Sequence, residues 1–128
     1  MSTIKANTLL HSDGSQTTEP SIPALDQRMA KAWVKVSSSF AIEGSYNVSS
    51  VTDVSAGRSR VNFTTSMADT NYSVSNSVYT NANTYLRITN FGGATVNYVE
   101  VFTLWSSNCA VTNVSFIDLA YGVQIFGN

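Results

Sequence analysis

The chain has 128 residues, 43% of them hydrophobic and only 12% charged, with 7 basic against 8 acidic residues for a formal net charge of −1. That length suits one domain with at most an appended arm, and that charge balance excludes the basic face that nucleic-acid or membrane-surface binding requires. No apolar run approaches the ~18 residues of a membrane span, and Met1 to Lys5 lacks the apolar stretch of a signal peptide, so the chain is expected to be soluble and unexported.

Residues 1–30 read as an extended N-terminal arm. Ile4, Leu9 and Leu10 form a short apolar patch suited to a partner surface. Ser12 to Pro20 is a polar run with nothing to bury and reads as a linker. Pro23 followed by Leu25, Met29 and Ala32 at helical spacing predicts a short helix near 23–32. Two to three turns are marginal alone, so such a helix needs a partner.

From Trp33 the hydrophobic period changes from helical to two. Segments 33–36, 40–42, 46–48, 58–64 and 71–78 alternate aromatic or β-branched residues with polar ones, as strands with one inward face do. Turns are expected at Glu43-Gly44-Ser45, 53–57, 67–70, 80–83 and Asn90-Phe91-Gly92-Gly93. In Val96 to Trp105 and Phe116 to Phe126 both faces carry large apolar groups, which predicts strands covered on both sides. The spacing suits about eight strands in an antiparallel β-sandwich or barrel over residues 31–128. Residues 61–86 and 101–128 hold one charge each, Asp69 and Asp118. Monomeric β proteins guard exposed edges with Lys, charge or Pro, so an obligate homo-oligomer is expected.

Little in the chain speaks for catalysis. The single His11 lies in the arm beside a turn signal, and the single Cys109 reads as a small buried side chain. Cysteine-rich zinc sites, calcium loops and phosphate cradles are absent from the sequence, so neither metal nor cofactor is expected. Glu100 and Asp118 stand inside apolar strands, where a carboxylate survives only if paired or neutral. Pairing of one or both with Arg87 outweighs a catalytic role, although a glycan depolymerase with carboxylates shared between subunits remains an alternative. Trp33 and Trp105, embedded in apolar sequence, read as core or interface anchors.

The run from Pro20 to Val34 (PSIPALDQRMAKAWV), Ser45 to Asp53 (SYNVSSVTD), Val61 to Met67 (VNFTTSM), Asn71 to Val74 (NYSV) and the ending Val123 to Asn128 (VQIFGN) together resemble bacteriophage tail-fibre C-terminal domains, particularly those of marine and cyanobacterial phages. The resemblance covers about residues 20–80 and the terminus. It implies a virion protein made in the host cytoplasm: a homotrimer with a β-sandwich or jelly-roll-like knob. Such a protein attaches to other virion proteins through its N-terminus and contacts host-surface polysaccharide. Where relatives carry a glycine-rich turn ahead of the Val-Asn-Phe strand, this chain has Arg58-Ser59-Arg60, so the loop is expected to meet a different surface. The chain is also short, with no shaft region, and a capsid decoration protein would need the same arm and knob.

Glycan sites pair an exposed aromatic face with amides that bond sugar hydroxyls. Tyr79, Asn81, Asn83 and Tyr85 place two tyrosines around an Asn-rich loop and are the candidate glycan contacts; the competing reading is an ordinary hairpin.

Overall fold

The computed structural model describes residues 28–79, 86–106 and 114–127, with Thr8, Leu10 and Gly14. The described residues form nine strands and no helix: β1 (Ala30–Val36), β2 (Ile42–Tyr46), β3 (Val48–Ser55), β4 (Arg58–Phe63), β5 (Ser73–Tyr79), β6 (Leu86–Ala94), β7 (Tyr98–Ser106), β8 (Val114–Phe116) and β9 (Ala120–Phe126). They build two antiparallel sheets, one ordered β2-β1-β9-β5 and the other β3-β4-β7-β6. β8 pairs with the far end of β7, where Leu104 faces Phe116, beyond the stretch that β4 covers.

Alternation decides which face turns inward. Ala32, Val34 and Val36 of β1 and Tyr121, Val123 and Ile125 of β9 meet Val61 and Phe63 of β4 and Val99 and Val101 of β7 in one core, closed by Met67 and Tyr72. The two sheets thus share a β-sandwich-like interior. One polar contact crosses it: the hydroxyls of Ser59 on β4 and Tyr121 on β9 lie 2.6 Å apart. Burial pushes the Tyr121 phenol up to about 12 against the opposing pull of that hydrogen bond.

The chain changes sheet between β2 and β3 at one residue, Asn47, which holds a left-handed φ of 53°. Its side-chain amide donates to the Lys31 and Thr65 carbonyls, each at 3.1 Å, and its Oδ1 accepts from the Thr65 N–H at 2.7 Å. The crossing is thereby tied to β1 and to the chain leaving β4. Gly57, with φ 65°, turns the β3–β4 hairpin. A Cβ there would stand 2.4 Å from the Thr103 carbonyl oxygen, so only glycine fits.

Several local expectations change. Ala30 to Ala32, expected as the end of a helix, begin β1, because Ala32 buries with Val34 and Val36 at a period of two; residues 23–27 lie outside the described residues. Glu43-Gly44-Ser45 is the middle of β2, not a turn. Asn90 to Gly93 runs within β6, where the register shift between Phe91 and Ala94 absorbs the glycines, and the turn falls at 95–97. β5 pairs with β9 whereas β6 pairs with β7, so the 79–86 connection links the two sheets and is not an ordinary hairpin.

Candidate functional site

The outer face of the β2-β1-β9-β5 sheet carries a groove of about 320 Å³. Its floor is Gly122 of β9, flanked in register by Lys35 of β1 and Ser77 of β5. The next row, Trp33, Gln124 and Ser75, closes one end. Tyr79 leans over the other: a methyl at Gly122 would meet its hydroxyl oxygen at 3.1 Å and Ser77 Oγ at 3.2 Å. The missing side chain at Gly122 is therefore what makes the depression.

Outward alternation leaves three aromatic side chains on this face, Trp33 at 41% exposure, Tyr79 at 47% and, paired with Trp33 on β2, Tyr46; the first two line the groove. The Trp33 ring rests on Gly44 of β2, where an added Cβ would stand 3.3 Å away. Lys35 Nζ is 2.8 Å from Glu43 Oε2 and 5.4 Å from the Tyr79 ring centroid. The hydrogen bond to Glu43, and then its charge, raise the Lys35 pKa above its ordinary value. The pair brings no net charge to the groove. The hydroxyls of Ser75 and Ser77 and the Gln124 amide complete the lining beside the aromatic rings, while Asn76, paired with Val123, belongs to the inner face.

The opposite sheet has a different outer face. Arg60 stands across from Glu100, and Arg58 across from Phe102. Glu100, whose side chain is 8% exposed, accepts from Arg58 at 2.7 Å and 3.2 Å on Oε2 and from Arg60 at 2.9 Å on Oε1. These hydrogen bonds, Arg58 before Arg60, hold its carboxyl below the usual carboxylate range against the effect of burial. Each guanidinium also covers a ring, Arg60 over Tyr98 at 4.8 Å and Arg58 over Phe102 at 5.5 Å. The apolar flank of β7 is thus covered in part by arginines of the same chain.

The expected site residues fall as follows. Tyr79 lines the groove, while Asn81, Asn83 and Tyr85 lie outside the described residues, as do Ile4, Leu9, His11 and Cys109. Leu10 is exposed. Glu100 pairs with Arg58 and Arg60; Arg87 belongs to β6, but its side chain lies outside the described residues. Asp118 accepts the Gly57 N–H at 2.7 Å and so locks the β3–β4 turn. Trp33 is an outward groove residue and not a core anchor. Its partners Lys35, Gly122 and Gln124 escaped the sequence reading. Their signal was the outward phase of β1 and β9, which becomes visible only once those strands are known to be neighbours. Among the described residues no three His, Cys, Asp or Glu side chains come together as a metal site. No family model, curated protein or solved structure matches the chain.

Proposed function

We propose that the chain is a non-catalytic binding module of a phage virion, a short tail-fibre-type homotrimer. It attaches through its N-terminal arm and displays the β-sandwich to a host-surface glycan. The groove floored by Gly122 carries this reading. Exposed aromatic rings cover the apolar faces of sugar rings, while amides and hydroxyls meet their equatorial oxygens, and a rigid sheet holds both in place. Four of the five described acids support a binding role over hydrolysis: Glu43 and Glu100 are ion-paired, and Asp69 and Asp118 accept backbone N–H groups, while Asp53 is exposed on β3, the other sheet from the groove. The sequence resemblance supplies the virion context and the trimer.

Adsorption of the full chain to host cells, or to their purified polysaccharide, tests the proposal. Replacing Trp33 and Tyr79 together by Ala is expected to abolish adsorption while leaving circular dichroism and thermal unfolding close to wild type, because both side chains point outward. Undiminished adsorption by that variant overturns the groove assignment. Imaging of particles separates the tail-fibre reading from capsid decoration: a few copies at the tail fit the first, and a dense coat on the shell fits the second.

A further inference from the structure

Arg58 and Arg60 mark where the sequence departs from the glycine-rich turn of the proteins it resembles, and the groove makes no use of them. They lie two apart on β4 and so share one face. Their side chains are each 40% exposed, yet both are held by Glu100 and by stacking on Tyr98 and Phe102. Two guanidinium charges against one carboxylate leave a surplus of one positive charge in a chain whose net charge is −1. Among the described residues no other acid cancels it. Thr52 faces Arg60, Asp53 pairs with Ser59 and so belongs to the other face, and Asp118 is turned to the Gly57 amide.

An apolar hollow adjoins Arg58. Ser55, Ala56, Arg58, Phe102 and Phe116 line a cavity of about 190 Å³. Phe116 is 56% exposed, and its ring centroid lies 6.2 Å from that of Phe102. Arg58 and Arg60 keep guanidinium N–H groups that Glu100 does not use, and the open Phe116 ring stands beside Arg58, which itself covers the Phe102 ring. This arrangement fits a ring that carries a carboxylate: the charge meets N–H donors, and the ring's C–H face lies on Phe116. The neutral groove on the other sheet provides no such charge.

We propose that this face is a second binding site, specific for the carboxylated sugar residues of an acidic polysaccharide. Arg58 binds the carboxylate with Arg60 supplying the surplus charge beside it, and Phe116 binds the ring. The site is independent of the groove.

Calorimetric titration of the full chain with trigalacturonate, maltotriose and triglutamate tests it. Trigalacturonate is expected to bind at least about tenfold more tightly than either of the others, with affinity falling as salt screens the charge. Phe116→Ala, at an exposed position, and Arg60→Gln, which leaves Arg58 on Glu100, are each expected to weaken it about fivefold or more with thermal unfolding little changed. The Trp33→Ala, Tyr79→Ala variant should bind trigalacturonate as wild type does, so loss of the groove and loss of this site are told apart. Equal binding of trigalacturonate and maltotriose, equal binding of triglutamate, or full affinity retained by Phe116→Ala and Arg60→Gln overturns the proposal.

Discussion

At the scale of single residues, the ionisable groups that are paired, Lys35 with Glu43 and Arg58 and Arg60 with Glu100, do structural work and set where the fold is vulnerable. Glu100 is the clearest case: an acid placed between Val99 and Val101 survives because its side chain turns to the outer face, where both oxygens meet arginine N–H groups. Its carboxyl is held below the ordinary value of 4.5 in the folded chain. The stability it contributes is therefore fully present above that value and is lost as pH falls through the lower, folded one. Glu100→Gln removes the charge, so its unfolding free energy should fall less steeply between pH 5 and 3 than that of wild type, in about the window where an ordinary carboxyl protonates. At neutral pH the same change is expected to cost about 1–2 kcal/mol, because the arginines left behind are half-exposed and regain water. Denaturant titrations at several pH values measure both effects, and parallel acid limbs for the two proteins would show that Glu100 is not the group responsible.

At the scale of elements, the decisive residue is Asn47, the only one between β2 and β3 and the point where the chain passes from one sheet to the other. It combines a left-handed backbone, which Asn tolerates better than most residues, with a side chain that ties β1 to the segment after β4. Asn47→Ala should lose both contributions, about 2–3 kcal/mol, while Asn47→Gly should recover the backbone part alone and fall between Ala and wild type. Equal stability of Ala and Gly variants in chemical denaturation would remove the backbone from this account. The same elements show what could be read in advance. Alternation located β1, β4 and β5, since Val34, Val61 and Val74 each stand between polar or outward neighbours; Phe116 to Phe126 was expected to be apolar on both faces, yet β9 alternates, with Gly122 and Gln124 outward and Tyr121, Val123 and Ile125 in the core. It failed at β2, where Gly44 imitated a turn: the glycine is needed under the Trp33 ring, not for a bend. It failed in the same way at Gly92 and Gly93, which sit at a bulge in β6. Of the groove, Tyr79 alone was legible. The remainder depends on β1 lying beside β9, a pairing between residues some ninety apart that no local pattern encodes.

At the scale of the whole molecule, the scarcity of charge bears on how the sheets end. β2, β5, β3 and β6 stand at the ends of the two sheets in the described fold. β5 contains no charged residue, and the single acid of β2, Glu43, is already paired with Lys35. Neither edge carries the lysine or proline that keeps β proteins from pairing edge to edge. Within the proposed trimer, β2 is the edge best suited to a neighbouring copy, because Ile42 and Tyr46 are both exposed there at 38% and 39%. Light scattering is then expected to give three times the 13.8 kDa mass of the chain. Ile42→Lys places an ammonium on the core-facing side of this edge strand, where the stem can stay on the apolar surface while the charge reaches water. A copy docking along β2 would have to bury that charge, so the variant should run as a folded monomer with an unchanged β-sheet circular dichroism spectrum. A trimer that persists in Ile42→Lys would move the interface to another edge, and a wild-type chain that runs as a monomer would end the trimer proposal itself.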